Sequence, residues 1–420
     1  MLTLLHTSDW HLGHTLHDHS RAEEHGAFLD WLLDLAVTEA VDALIVAGDL
    51  FDGSNPPAQA QEQLFRFLVT LRQRLPAVDV VLVGGNHDSA QRLDAPASML
   101  RALGLHMVGG LPRLPRTDAA AERALDLDRL LVPLTDAAGA VAAWVVAVPF
   151  LRPADLPLLA EVEDTLVAGV GAVYAQALDA ARARRLPGQA LVATGHCYMR
   201  GGDISELSER KILGGNQHAL PVSVFPDDIA YVALGHLHLA QDVGGRANVR
   251  YCGAPIPLSM PERSYPHQVD LVTLDGERLV AVRPTRVPRA TQLMRVPETG
   301  ALPIDALEAA LRLLPPRDPE VPEWQRPFLE ACVRLDAPEP GLQRRVEDAL
   351  AGKAARLVKL TRERTGTGGA LGDSAVNALS DFTEERVFQK RWEQEFAIAP
   401  DAVVLACFAE LLGAAQLEEE

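Results

Sequence analysis

Ala43-Leu-Ile-Val-Ala-Gly-Asp-Leu-Phe-Asp52 runs from five apolar residues into a glycine and two carboxylates, and the rest of the chain is best read outward from it. A short apolar run ended by glycine reads as a strand buried on both faces. Polar residues directly after such a strand stand at its carboxyl end, where α/β sheets collect their ligands. Four other stretches repeat the pattern. Asp9-Trp10-His11 comes after Leu2–Leu5, Gly84-Gly85-Asn86-His87-Asp88 after Val78–Val83, Gly195-His196 after Leu191–Ala193, and Gly235-His236-Leu237-His238 after Ile229–Leu234. Between these strands Arg21–Glu39, Ala58–Leu75 and Glu163–Arg185 carry apolar residues at helical spacing. The alternation is that of an α/β domain. Two further strand pairs, Leu130–Leu134 with Val141–Val148 and Gln268–Leu274 with Arg278–Val282, the latter over an Asp275-Gly276 turn, suggest a second sheet.

Further along, the composition changes near Val287–Pro303, which places a boundary at Arg286 and a first domain over 1–286. From 287 to 365, Ile304–Leu314 reads as helix, Phe328–Leu335 as strand, Leu342–Ala351 as helix and Arg356–Thr361 as strand, a small α/β cap. Residues 366–378 have linker composition. Over 379–420, two amphipathic helices, about Thr383–Glu395 and Asp401–Ala414, flank Pro400. Phe388, Trp392 and Phe396 line one stripe of this pair and Val404, Phe408, Leu411 and Leu412 another; the stripes fit either packing on the cap or docking onto a separate chain.

Bulk composition excludes several classes. The 48% apolar fraction is ample for a core over 420 residues. There is neither an apolar run long enough to span a membrane nor a secretory start, so the chain reads as cytoplasmic. Cys197, Cys252, Cys332 and Cys407 form no CxxC pair, which argues against a disulfide framework or zinc ribbon. The formal charge of −18 argues against a chain that coats nucleic acid unaided. Ten acidic against three basic residues from Asp381 onward supply −7 of it and leave −11 for the rest. Contact with DNA therefore needs a local basic strip, bound metals or a partner. Arg182, Arg184, Arg185, Lys353, Arg356, Lys359 and Arg362 are the candidates.

The five clusters together offer carboxylate, carboxamide and imidazole donors with no thiolate required, a mixture suited to Mn, Fe, Co or Zn and sufficient for two ions. Asp9 and His11, and likewise His236 and His238, lie two apart and project to one side if the extended backbone continues. The glycines before the ligands fit close turns around a crowded centre. A single Asp-x-His or Gly-His carries little weight, since histidines often satisfy loops; five such clusters, all at strand ends, carry much more. His14, His17, His19 and His25 have irregular spacing and polar company and read as solvent-exposed. His6 reads as a strand residue near the site, Cys197 as a packed thiol, and His106, His218 and His267 belong to no cluster.

In this order the clusters resemble the calcineurin-like metallophosphoesterase superfamily, which implies a two-sheet αββα sandwich. Gly202-Asp-Ile-Ser-Glu-Leu-Ser-Glu-Arg210, Tyr231-Val-Ala-Leu-Gly-His-Leu-His238 and Tyr251-Cys-Gly-Ala-Pro-Ile-Pro-Leu-Ser259 are similar to the SbcD family, nuclease subunits of bacterial double-strand-break repair complexes. With the cap and the C-terminal helix pair, the likeness spans nearly the whole chain. It implies one Mn(II) on Asp9, His11, Asp49 and His238, and a second on Asp49, Asn86, His196 and His236, with Asp49 bridging. His87 is implied as proton donor to the leaving 3′ oxygen, with Asp88 orienting its imidazole. Some archaeal relatives carry His where this chain has Asp52, so the role of Asp52 is not carried over.

The resemblance further implies a DNA nuclease in repair, recombination and replication, acting 3′ to 5′ on duplex ends and as an endonuclease on single strands or hairpins. Its implied partners are an SbcC-type ATPase and a second copy of the nuclease chain, a homodimer within a heterotetramer. Leu64, Phe67, Leu68 and Leu71 form a stripe that fits either such a dimer or the core. The metal clusters alone also allow a small-molecule or cyclic-nucleotide phosphodiesterase. A catalytically dead DNA-end scaffold is the binding-class alternative.

Overall fold

Alternate residues of the early strands face two different cores. In the first sheet the order is Arg278–Arg286, Gln268–Asp275, Leu2–Thr7, Ala43–Ala47, Asp79–Val83 and Leu105–Val108, the last four parallel. The second runs Gln241–Val243, Arg246–Tyr251, Tyr231–Gly235, Ala190–His196, Val141–Val146 and Leu131–Thr135, with the middle four parallel. Leu4, Ile45, Val81 and Val83 turn from the first sheet toward Val132, Val145, Val192 and Val232 of the second. Their neighbours Leu5, Leu44, Val46, Val80 and Leu82 turn the other way, onto Phe28 and Leu32 of the Ala22–Thr38 helix and Leu64, Phe67 and Leu71 of Ala58–Arg74. The second sheet is covered by Thr165–Arg184 through Val173, Tyr174, Ala177 and Leu178. Asp164 caps that helix, accepting from the amides of Leu166 and Val167 at 3.0 Å each. Strands buried on both faces need continuous apolar runs, which is why the pattern was legible.

This computed structural model describes residues 1–115, 124–157, 164–203, 219–335 and 339–364, with Phe388, Trp392, Val404, Leu405, Cys407 and Phe408 beyond them. Two compact units divide it, Met1–Glu363 and Arg364–Glu420. The αββα sandwich is as expected, but the Gln268–Arg286 hairpin extends the first sheet rather than marking the second. Its strand Gln268–Asp275 pairs antiparallel with Leu2–Thr7; Val269 and Leu271 join the helix-covered core and Val272 and Leu274 the inter-sheet one. Leu64, Phe67, Leu68 and Leu71 are all buried in the first sheet's helix layer, so that stripe is core and offers no dimer face.

Phe328–Leu335 is central to a third sheet, paired with Leu293–Val296, Leu302–Pro303 and Arg356–Arg364. Ile304–Arg312 and Leu342–Leu350 cover it through Leu307, Leu311 and Val346, a core of its own against Leu329, Ala331 and Val333. In the second unit, Phe388, Trp392, Val404, Leu405, Cys407 and Phe408 are helical, and Phe388 stacks on Phe408 with ring centres 4.1 Å apart. The linker 366–378, Phe396, Leu411, Leu412, His218 and the stretch 204–210 lie outside the described residues. No helix among the described residues is long and apolar enough to cross a membrane.

Candidate metal centre

All five polar clusters stand at strand carboxyl ends, and glycines bring the two sheets' rims together. A Cβ on Gly235 of the second sheet would lie 2.0 Å from the Ala47 carbonyl oxygen of the first, and one on Gly48 2.1 Å from His196 Nδ1. Only a residue without a side chain allows that approach. Across the seam His196 Nδ1 donates to the Ala47 carbonyl at 2.9 Å, which leaves Nε2 facing the centre.

There the predicted residues meet. His196 Nε2 lies 2.9 Å from Asn86 Oδ1 and 3.3 Å from Asp49 Oδ2, while His236 Nδ1 is 3.1 Å from the same Asn86 oxygen. The same Asp49 Oδ2 is 3.5 Å from His11 Nε2. Asp9, His11 and His238 bring ligand atoms within 4.8 Å of one another, as do Asp9, Asp49 and His196, and as do His11, Asp52 and His87. The backbone reaches this geometry by strain: Asp9, His11, Asp49 and His236 have φ of +54°, +46°, +49° and +102°. Left-handed conformations cost non-glycine residues of order 1–3 kcal/mol each and cluster at functional sites. The expectation that extended backbone would aim Asp9 and His11 at one point is thus corrected; a left-handed turn does so, because the chain must leave the strand at once to keep both side chains inward.

The donor set fits a divalent cation. His11 Nε2 is buried with no hydrogen-bond partner among the described residues. Although burial opposes it, the charge of Asp49 pushes the His196 pKa up to about 9. Burial and the neighbouring His196 hold His236 down at about 3. Against the penalty of burial, His196, His11 and His87 keep the Asp49 carboxyl well below the usual range. A buried anionic pocket that draws a proton onto one imidazole is a pocket that attracts positive charge.

Other residues stand differently from expectation. Asp88 does not orient His87: it is buried, and its carboxylate accepts from the amides of Leu50 and Phe51 at 3.0 Å each and of Gly85 at 2.9 Å. It ties the loop carrying Asp49 to the loop carrying Asn86, because three converging amides need one acceptor with several lone pairs. Burial and the Asp49 charge raise its pKa to about 6. His87 Nδ1 donates instead to the Asp52 carbonyl oxygen at 2.8 Å. The Asp52 carboxylate meets His11 Nδ1 at 3.2 Å and His14 Nδ1 at 3.1 Å, which gives it a part in the centre and draws His14 out of solvent. His25 is buried too, on the inward face of its helix with Phe28 and Leu29.

His6 behaves as expected, a buried strand residue 2.9 Å from the Tyr231 hydroxyl. Ser8, which donates to Asp9 at 2.5 Å, and Glu262, 3.2 Å from His238 Nδ1, were not marked by any motif. Both support a ligand from outside the clusters, and neither had a pattern that could have shown it.

The proposed phosphate cations are mostly committed elsewhere. Arg182 pairs with Asp228 and Asp179, Arg184 with Asp128 and Lys359 with Glu330. Arg182, Arg184 and Arg185 end the helix that leads into the amino end of Ala190–His196, the end away from the site. Arg152, which no motif marked, does stand at the rim, donating to the Asp88 carbonyl at 3.0 Å.

Residues 2–240 match the family described as calcineurin-like phosphoesterase, and residues 289–396 that described as type 5 capsule protein repressor C-terminal domain. A protein of Rhodobacter capsulatus, named as the SbcD chain of the SbcCD nuclease, is 43% identical over 372 residues, 87% of this chain and 88% of that one. The protein of the same name from Escherichia coli K12 is 34% identical over 397 residues, covering 93% and 92%. That of Bacillus subtilis is 33% identical over 277 residues, covering 64% and 66%.

Proposed function

This chain belongs to the calcineurin-like phosphoesterase family and groups there with the SbcD chains of SbcCD nucleases, and we infer accordingly that it is a metal-dependent phosphodiesterase cutting DNA within an SbcCD-type complex. The observation that carries the reading is the position of Asp49, whose Oδ2 lies within reach of both His11 Nε2, at 3.5 Å, and His196 Nε2, at 3.3 Å. A carboxylate so placed can serve two ions at once. Asp9, His11, Asp49 and His238 would hold one Mn(II), and Asp49, Asn86, His196 and His236 the other.

Divalent ions, when bound there, would supply positive charge to a phosphodiester and lower the pKa of a bound water. The chain's own groups do the rest. His87, fixed through Nδ1 on the Asp52 carbonyl, presents Nε2 as the donor of a proton to the leaving 3′ oxygen. Asp88 keeps the two ligand loops in register, and Ser8 and Asp52 hold Asp9 and His11. The enzyme works in the cytoplasm on duplex ends from 3′ to 5′ and on single strands or hairpins, as a homodimer within a heterotetramer. Residues 1–286 form the nuclease domain and 287–365 the cap; beyond the linker 366–378, the helix pair 379–420 seats an SbcC-type ATPase.

The purified chain, with and without that ATPase, is tested on hairpin and linear DNA with Mn(II) or Mg(II). DNA cleavage that the ATPase and ATP stimulate is expected. Turnover of small phosphodiesters with no DNA cleavage would instead make it a nucleotide phosphodiesterase. Deleting 379–420 is expected to leave metal-dependent hydrolysis of a small ester intact and to abolish co-elution with the ATPase; undiminished co-elution would remove the helix pair from the interface.

A further inference from the structure

Glu262 is a fully buried carboxylate in the short Met260–Ser264 turn, and no cluster or motif contains it. A buried carboxylate is costly unless its oxygens find donors. Here Oε2 accepts from the Leu258 amide at 2.9 Å, and Oε1 accepts from the Ser259 hydroxyl at 2.9 Å and lies 3.2 Å from His238 Nδ1. A carboxylate oxygen facing an imidazole nitrogen makes that nitrogen the donor. The proton of His238 is thereby fixed on Nδ1, which puts the lone pair on Nε2 and makes Nε2 the ring nitrogen available to the group that His238 forms with Asp9 and His11. The turn is held from its other side as well: Met260 shares a buried cluster with Leu293 and Phe328 of the third sheet, and Arg289 donates to the Arg263 carbonyl at 2.9 Å. His238 itself sits in a loop just past the end of Tyr231–Gly235 and needs such an outside anchor to keep its ring aimed.

We propose that Glu262 is a positioning residue for metal binding: it sets the tautomer, orientation and basicity of His238 and so governs the affinity of one of the two ion sites. The proposal rests on the reading of the Asp9, His11 and His238 group as a metal site. Carboxylates behind ligating histidines commonly act in this way. A purely structural role, bracing the turn at Leu258 and Ser259, would lower stability without selecting one ion site.

The full-length chain and its Glu262→Ala, Glu262→Gln, His238→Ala and His238→Ala/Glu262→Ala variants are titrated with Mn(II), free Mn(II) being read by electron paramagnetic resonance and folding by circular dichroism. The unaltered chain should bind two ions. Glu262→Ala should weaken one of them by about 10–100-fold and leave the other within about three-fold. Glu262→Gln keeps an accepting oxygen and should lose less. In the His238→Ala background, adding Glu262→Ala should change affinity by no more than about two-fold, since the residue through which Glu262 acts is gone.

Equal two-ion binding by the unaltered chain and Glu262→Ala overturns the proposal, as does the same loss with and without His238. A chain that binds no Mn(II) overturns the metal-site reading itself and the proposal with it. Should Glu262→Ala not fold, Glu262→Gln alone and with His238→Ala makes the same comparison.

Discussion

Asp49 and His87 are joined by a hydrogen bond, the His87 amide donating to Asp49 Oδ1 at 2.8 Å, yet they should fail in different ways. Asp49→Ala removes the carboxylate that faces both His11 and His196, so metal content should fall together with activity. His87→Ala keeps the amide and its bond to Asp49. It removes a ring already anchored on the Asp52 carbonyl, and loss of a general acid typically costs about 10²–10⁴-fold in rate. The expected result is near-normal Mn(II) stoichiometry, slow DNA hydrolysis, and a smaller loss on a nitrophenyl ester, whose leaving group needs no proton. Metal analysis beside rates on both substrates decides it. His87 also comes within ligand range of His11 and Asp52, so metal loss in His87→Ala would make it a ligand and not an acid.

Among the secondary-structure elements, the site depends on two strands meeting end to end across the sandwich. Gly235→Ala puts a methyl group against the Ala47 carbonyl, and the neighbouring Ser8 Cβ is only 2.9 Å away. Neither obstacle is the flexible tip of a side chain, so the strand must move and take His236 and His238 with it. A stability loss of at least about 1–3 kcal/mol in urea unfolding is expected from overpacking alone. Mn(II) binding should drop with it. Gly53, one residue beyond Asp52 with open space around its Cβ position and no left-handed φ, is the control: Gly53→Ala should leave both measurements unchanged. Tight two-ion binding by Gly235→Ala would show that the sheets have room to spare at the rim.

Over the full chain, charge limits how DNA can be held. The protein carries −18, and of its candidate phosphate cations several are engaged with carboxylates and three lie at the end away from the centre. The isolated chain should therefore bind DNA weakly, with affinity falling steeply as salt rises, because the phosphate contacts that remain depend on counterion release. Fluorescence anisotropy of a labelled duplex at several salt concentrations measures this. Tight binding insensitive to salt would mean that a contact surface other than exposed cations does the work.

Residue order alone was enough for most of the strands and helices and for the five polar clusters, though it passed over the strands Leu105–Val108, Arg246–Tyr251 and Leu293–Val296. Runs such as Ala43–Ala47 are apolar throughout because both faces are covered, and a polar cluster after such a run can only stand at the strand's end. That marked the clusters that contain Asp9, His11, Asp49, Asn86, His196, His236 and His238; choosing these seven as ligands, over Asp52, His87 and Asp88 beside them, is what the resemblance to the family implies. Local pattern could not say which sheet the Gln268–Arg286 hairpin joins, or that Leu64, Phe67, Leu68 and Leu71 face inward, because an apolar stripe looks alike against a core and against a partner. Nor could it show supports from distant positions. Asp88 reaches back 38 residues to Leu50, and Glu262 lies 24 beyond His238, so each acquires its task only when the chain has closed around the centre. Those roles came from the folded chain, since a hydrogen bond between residues far apart in sequence leaves no periodicity behind it.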